Sequence, residues 1–335
     1  MKDLHMADVL EMLAYHKDLP QDIAEESFSR LMDGTMTPAQ AGSFLMGLKT
    51  KGETTLELAS AAKAALAQAR LVPNLTRPRI DTCGTGGDAK SSFNCSTAVA
   101  FLLAGMGYDV VKHGNRSVSS KSGSADVLEG MGLPLTIEPE AVAGELDRCH
   151  FAFLFAPGYH PAFKNIVPIR REIGCRTLFN LLGPLLNPAR PTHQLLGVPA
   201  PDFMVRMASV LARTNIERAA VVHGAGGYDE LTTFGENKIV YVRDGWIQEN
   251  VLDAADYGLG RHTPEAVAVS GKEEALDVLR QLIAGGGPAA MQDMIILNAG
   301  MALYLLEDEM SLAQGIDAAR EALCAGVAEK VLNAG

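Results

Sequence analysis

The stretch GTGGDAKSSFNCST, Gly84 to Thr97, joins three glycines and an aspartate to a polar run, and the apolar, helix-like AVAFLLAGMG follows it directly. Glycine alone reaches positive φ without strain, and its missing side chain lets backbone N–H groups approach a bulky anion. A helix start adds uncompensated N–H donors and a partial positive charge. Together these features make a cradle for phosphate. Three glycines by themselves are as consistent with an ordinary strand-to-helix loop, so the weight rests on their company.

A second loop, KHGNRSVSSKSGSAD (Lys112–Asp126), carries Lys112, Arg116 and Lys121 among five serines. Fixed cations with several hydroxyls form another oxyanion cradle, although Ser-rich stretches are more often solvated loops. A third element, HGAGGYDEL (His223–Leu231), sets Asp229 beside Glu230 in a glycine-rich loop. Next to phosphate cradles, such a carboxylate pair suits Mg²⁺, which takes few protein ligands and shares the rest with phosphates and water. A fourth, HPAFKNIVPIRRE, would place Arg170 on one helical face with Phe163 and Ile166, by three- and four-residue spacing. An arginine there can meet a carboxylate bidentately. A surface salt bridge is the alternative.

These loops need elements to hold them. Residues 1 to about 70 read as helices only, with capping boxes at TPAQ (Thr37–Gln40) and TTLE (Thr54–Glu57). A boundary falls near LVPNLTRPR. From Ile80, β-like runs alternate with helical ones: YDVVKHG, LPLTI, FAFLFA, HQLLGV and RAAVVHG, with PEAVAGELDRC as a helix between the second and third. Such alternation predicts an α/β fold with a mostly parallel sheet. Ligands of these folds bind at the C-terminal ends of the strands, where the glycine loop falls. HPAFKNIVPIRREIGCRTLFNLLGPLLNP reads as a helical interruption. TTFGENKIVYVRDGWIQENVL reads as a hairpin or meander containing Trp246, and the chain from about Pro264 is helical.

The whole chain sets bounds. Its 335 residues suggest about two domains. A content of 47% hydrophobic and 21% charged residues is that of a globular protein. The formal net charge of −11 opposes general nucleic-acid binding. No uninterrupted apolar run approaches the roughly 20 residues of a membrane helix. The start, MKDLHMADVLEML, mixes acids into its apolar residues, unlike a signal or transit peptide. Five scattered cysteines without a CxxC pair are expected as free thiols in a cytoplasmic protein.

The motifs GTGGD, FNCST, KHGNRSVSSKSGSAD, RTLFNLLGPLLNP and HGAGGYDE, in this order and over nearly the whole length, resemble the anthranilate phosphoribosyltransferase family of tryptophan biosynthesis. The resemblance implies a small helical domain, residues 1–70 joined by helices of about 159–186, and a larger α/β domain, 71–335, of the nucleoside phosphorylase/phosphoribosyltransferase type. It also implies a homodimer formed through the helical domain. Phosphoribosyl pyrophosphate would be held by Gly84, Gly87, Asp88, Ser92, Asn94, Cys95, Ser96 and Thr97. Lys112, His113, Gly114, Asn115, Arg116, Ser117, Val118, Ser119, Ser120 and Ser124 would complete its site. Anthranilate would meet Gly84 (through its backbone), Asn115, His160 and Arg170. Two Mg²⁺ ions per monomer would be bound by Ser96, Asp229 and Glu230. No dedicated catalytic base is implied. Cys83, Cys95, Phe163, Tyr228 and Ala89 depart from the residues usual in the family, and none removes a polar contact named above. A pyrimidine nucleoside phosphorylase-like enzyme and a nucleic-acid-binding relative share the architecture. GTGGD and the Asp-Glu pair favour the transferase, and the acidic charge opposes the nucleic-acid reading.

Overall fold

The computed structural model describes residues 4–86, 90, 92–116, 123–135 and 137–333. The chain forms two compact units, one of residues 1–71 with 156–188 and one of residues 72–155 with 189–335.

The first unit is helical throughout its described residues. Its helices Pro38–Lys51 and Thr55–Ala67 both open with the expected capping box, in which Thr37 and Thr54 accept from the backbone of Gln40 and Glu57. Phe28 and Phe44 meet edge to face in its core at 5.2 Å. The returning segment, 156–188, is a chain of short turns: helices Ala156–Tyr159, Val167–Ile173 and Phe179–Leu182, with 3-10 turns at Pro161–Asn165 and Gly183–Leu185. It is tied in by Asn165, whose Nδ2 donates to the Met32 carbonyl at 2.8 Å. The single helix expected to align Phe163, Ile166 and Arg170 does not form. Phe163 lies in a 3-10 turn and Arg170 in the helix after it. Pro161 and Pro168 each favour a fresh helix start over continuation.

The second unit is built on seven strands among the described residues: β1 (Ile80–Gly84), β2 (Val110–Gly114), β3 (Phe151–Phe155), β4 (His193–Gly197), β5 (Arg218–His223), β6 (Glu236–Arg243) and β7 (Trp246–Asp253). Their order is β3-β2-β1-β4-β5-β6-β7. The first five pair in parallel, and β6 and β7 are antiparallel additions. The apolar β5 run, AAVV, is buried throughout, as parallel strands covered on both faces require. Asp244 and Gly245, both at positive φ (49° and 80°), close the hairpin expected around the RDG stretch. LPLTI is not a strand in its described residues. Pro134 cannot donate to a ladder, and the stretch runs instead from the helix Ser124–Gly130 to the 3-10 turn Pro139–Ala141.

The core lies between the sheet and two largely buried helices, Cys95–Gly105 and Ala289–Leu306. The second of these is long and apolar enough to cross a membrane, though no unbroken apolar run marked it in the sequence. It is 72% buried inside the unit. The strand order reverses at β1: β2 and β3 extend the sheet on one side of it, β4 on the other. A crevice outside the carboxyl ends of β1 and β4 is therefore the expected ligand position of such a sheet.

Candidate functional site

At that switch point β1 and β4 end on paired glycines, Gly84 opposite Gly197. Asp229 lies across both. A methyl group on Gly84 would strike the Asp229 carboxylate, one on Gly197 the Asp229 carbonyl, and one on Gly224, just beyond β5, the Glu230 carbonyl. The glycines thus serve close approach, but what approaches is the protein's own acidic loop. Gly84 sits at ordinary φ, and within the described part of GTGGD the positive φ belongs to Gly86, at 67°.

Among the described residues, two of the backbone donors near the expected phosphate site are likewise occupied. The Gly86 N–H donates to Asp229 Oδ2 at 2.9 Å, and the Ser96 N–H, in the first turn of the helix Cys95–Gly105, donates to Glu230 Oε1 at 3.3 Å. A helix N-terminus favours a negative group, and here a carboxylate supplies it. Two elements distant in sequence therefore hold the Asp229–Glu230 pair.

Lys112, on β2, reaches under this arrangement. It is 2% exposed. Its Nζ donates to the Thr82 carbonyl and, at 3.1 Å, to Ser96 Oγ. Burial pulls its pKa below the usual lysine value, while Asp81, Cys83 and Glu230 oppose the shift. The buried Asp81 accepts from the His113 N–H at 3.4 Å, bracing β2 against β1. Sequence reading missed Asp81, which stands in an ordinary strand run, and Gly197, an isolated glycine whose meaning appears only opposite Gly84.

Other expected residues divide. Ser92 forms an isolated bridge with Ala268, and Asn94 is the N-cap residue of the helix Cys95–Gly105. Cys95 and Thr97 are wholly buried, and their N–H groups go to Phe93 O (2.8 Å) and Asn94 O (3.1 Å), so neither presents an open backbone donor to a ligand. The alternation is helical: Ser96 faces the site and its neighbours face the core. Gly114 ends β2 against the Ser124 hydroxyl. Asn115 caps its own loop, its Oδ1 accepting from the Arg116 N–H at 2.8 Å. Arg116 is turned to Asp126 and Glu129 at 3.2 and 2.8 Å, which places its guanidinium in a solvent-exposed ion pair. Gly87, Asp88, Ser117, Val118, Ser119 and Ser120, together with Ala89 and Lys121, lie outside the described residues.

The donors on offer around Glu230 are oxygens. Burial, with Asp81 beside Cys83 and Glu230 beside Cys95, pushes both thiols well above the ordinary cysteine value, so they stay protonated. Among the described residues two carboxylates and the Ser96 hydroxyl remain. No group of three or more His, Cys, Asp or Glu side chains assembles a metal site among the described residues. A hard cation that keeps water and ligand oxygens in its shell suits this sparse set; zinc does not.

The helical unit carries a separate cluster. The Arg170 guanidinium lies over the Phe179 ring at 5.6 Å, and Phe163 meets Phe179 edge to face at 5.7 Å. Nη2 of Arg170 donates weakly to Asn180 Oδ1 at 3.4 Å, and burial alone pulls its pKa down. Among the described residues no carboxylate pairs with it, which sets aside the surface salt bridge. His160, 5% exposed, stacks edge-on with Phe163 at 5.6 Å. Burial lowers its pKa to about 4 against a hydrogen bond with the Leu186 backbone, so the ring is neutral. In the α/β unit Tyr228 is buried against Phe234 at 5.2 Å.

Residues 76–329 match the α/β domain of a glycosyl transferase family, and residues 7–69 match its helical bundle domain. The anthranilate phosphoribosyltransferase of Oleidesulfovibrio alaskensis is 57% identical over 331 residues, covering 99% of this chain and all of the relative. That of Brevibacillus brevis is 42% identical, over 96% of this chain and 94% of its own. The crystal structure of the Thermus thermophilus enzyme superposes with a TM-score of 0.90 at 39% identity, covering 97% of each chain. A Saccharomyces cerevisiae anthranilate phosphoribosyltransferase in complex with PRPP and Mg has the same fold, with a TM-score of 0.89 at 24% identity over 98% of this chain and 96% of its own. The chain belongs to the anthranilate phosphoribosyltransferase family, enzymes that transfer the 5-phosphoribosyl group of phosphoribosyl pyrophosphate to the amine of anthranilate and release pyrophosphate.

Proposed function

We propose that the crevice at the ends of β1 and β4 binds phosphoribosyl pyrophosphate with Mg²⁺, and that Arg170 of the helical unit receives the carboxylate of anthranilate. The observation that carries the reading is the meeting of Asp229, Glu230, Ser96 and the buried Lys112 at the switch point of the sheet. The yeast relative in complex with PRPP and Mg supports the choice of ligand and cation. Asp229, Glu230 and the Ser96 hydroxyl would hold Mg²⁺, two ions per monomer, which when bound offsets the charge that grows on the departing pyrophosphate.

The chain's own residues act by position. The loop from Gly84, with Ser92, Asn94, Ser124 and the stretch Lys112–Arg116, holds the sugar and its phosphates; Gly87, Asp88 and Ser117 to Ser120 belong to the same expectation. The Lys112 cation lies beneath the site, where burial strengthens its field toward an anion. Arg170 and Asn115 orient anthranilate. The amine nitrogen then forms its bond to ribose C1 as the C1–O bond breaks, the electron pair leaving with pyrophosphate and the nitrogen's proton passing to solvent. An aromatic amine is neutral at pH 7, so no strong base is needed and alignment supplies much of the rate. The buried neutral His160 fits a wall better than a proton carrier.

Exposed Tyr15, Met46 and Val167 in the helical unit support a homodimer through that unit. Five free cysteines support a reducing, cytoplasmic setting. The direct test is loss of anthranilate fluorescence that requires both phosphoribosyl pyrophosphate and Mg²⁺. Fluorescence loss that continues without either one would remove the reading.

A further inference from the structure

We propose that Asn237 and Asn298 are positioning residues for the Asp229–Glu230 pair, acting through the backbone just after it; this rests on the reading of the pair as Mg²⁺ ligands. Asn298 stands in the 18-residue helix Ala289–Leu306, whose other buried residues are all apolar or glycine. A lone amide in such a helix needs partners, because a buried polar group left unpaired is costly. It finds them in Leu231: Oδ1 accepts from the Leu231 N–H at 3.0 Å, and Nδ2 donates to the Leu231 carbonyl at 2.8 Å. Nδ2 also donates to the Met294 carbonyl at 2.8 Å, one turn back in its own helix, which fixes the amide's orientation.

Asn237, wholly buried at the start of β6, treats the next residue in the same way. Its Oδ1 accepts from the Thr232 N–H at 2.7 Å and its Nδ2 donates to the Thr232 carbonyl at 2.9 Å. Further bonds to the Gly235 and Leu252 carbonyls at 3.1 and 3.2 Å hold this amide in turn. Leu231 and Thr232 belong to no strand. Two side-chain amides nevertheless grip both N–H and both carbonyl groups, as a partner strand would. A carboxamide suits this, since it sets a donor beside an acceptor at any ordinary pH. Upstream, the Gly224 N–H donates to the Tyr228 carbonyl at 2.9 Å. The carboxylates therefore sit on a short span fixed at both ends, with glycines beneath it that leave no slack. Oxygen ligands placed so need little reordering when a cation arrives.

The test is Mn²⁺ binding, read by electron paramagnetic resonance in the presence of pyrophosphate, together with the Mg²⁺ dependence of turnover. Asn298→Leu and Asn237→Leu should each weaken Mn²⁺ binding by about 10–100-fold, the usual effect of removing a group that orients a metal ligand. Half-saturation by Mg²⁺ should rise with it, and kcat should recover at high Mg²⁺. Leu303→Ala, in the same buried helix but away from the loop, should lower Tm and leave Mn²⁺ affinity unchanged. If Asn298→Leu does not fold, Asn298→Ala, which leaves room for water at Leu231, carries the same expectation. Asparagine variants that bind Mn²⁺ as tightly as wild type, or no more weakly than Leu303→Ala, overturn the positioning role. Should Asp229→Asn with Glu230→Gln bind Mn²⁺ like wild type, the metal reading itself falls, whatever the asparagine variants do.

Discussion

Each unit buries a lysine, and the two are served in opposite ways. Lys51, in the helical unit, has a side chain 3% exposed and donates to Asp18 (2.7 Å), Glu57 (3.0 Å) and the Gly52 carbonyl (2.8 Å). Burial works against its charge, but Asp18 and Glu57 more than compensate and hold its pKa above the ordinary value. Glu57 is used completely: it also closes the Thr54 capping box and accepts from the Leu19 N–H at 3.0 Å. Among the described residues Lys112 has no such pair of carboxylates in hydrogen-bond contact, only a carbonyl and a hydroxyl, and its pKa falls. A cation whose charge is cancelled locally fastens a fold. One paired with neutral oxygens keeps a field to offer a ligand, and costs more to bury.

That contrast breaks most visibly at the acidic loop facing Lys112. Asp229→Asn with Glu230→Gln should lower kcat/KM by at least about 10³-fold, the scale on which a charge-stabilising group acts, while Tm changes little. Near-normal turnover at ordinary Mg²⁺ would sink the assignment.

The lysines themselves come next. Lys51→Met leaves buried Glu57 without its cation and should cost about 3–5 kcal/mol of stability, with KM for both substrates unchanged in the folded protein. Lys112→Met should do the reverse. It removes a charge-assisted contact worth about 1.5–3 kcal/mol, so KM for phosphoribosyl pyrophosphate should rise by about 10–100-fold, with a smaller fall in Tm. Urea denaturation and steady-state kinetics on both variants decide it; equal stability losses with equal kinetics would erase the distinction.

Arg170 extends the comparison to a third cation, half-buried over the Phe179 ring and without a carboxylate among the described residues. Arg170→Ala should raise KM for anthranilate by about 10–100-fold, the worth of a bidentate pair. KM for phosphoribosyl pyrophosphate should hardly move. An equal effect on both substrates, or on neither, would make the assignment wrong.

How far the sequence revealed this depends on the range of the interaction. The capping boxes at Thr37 and Thr54, the buried β5 run and the Asp244–Gly245 hairpin turn are local, and their residues announce them. Phe163, Ile166 and Arg170 show where local periodicity misleads: the spacing is helical, but the prolines divide it, and the cluster closes through Phe179 instead. GTGGD stands at the strand ends for a reason that local sequence does not carry. Its Gly84 makes room for Asp229, and the two meet because β4 lies between β1 and β5 in the sheet, so the loop after β5 crosses Gly197 to reach Gly84. Lys51 shows the limit most plainly, since nothing in KTKGETTLE distinguishes it from Lys49, whose amine donates to the Arg176 carbonyl.

The smallest expected effect concerns a feature that the units share. Each buries a neutral histidine whose pKa falls to about 4: His160, through burial, and His193, through burial with Arg218 beside it. A histidine depressed in the folded state and near 6.5 when unfolded gives stability that is complete above pH 6.5. That stability is lost as pH falls toward 4, because the unfolded chain takes the proton first. At pH 5.5 each should have lost about 1.4 kcal/mol. His160→Gln and His193→Gln should each remove about that much of the fall in urea stability between pH 7.5 and 5.5. The lysine contrast predicts a difference between the units in kind of function, not in acid sensitivity, so the two variants should flatten the acid limb equally. A profile flattened by one and untouched by the other would mean that the two rings are not alike in their burial, and that acid loosens one unit before the other.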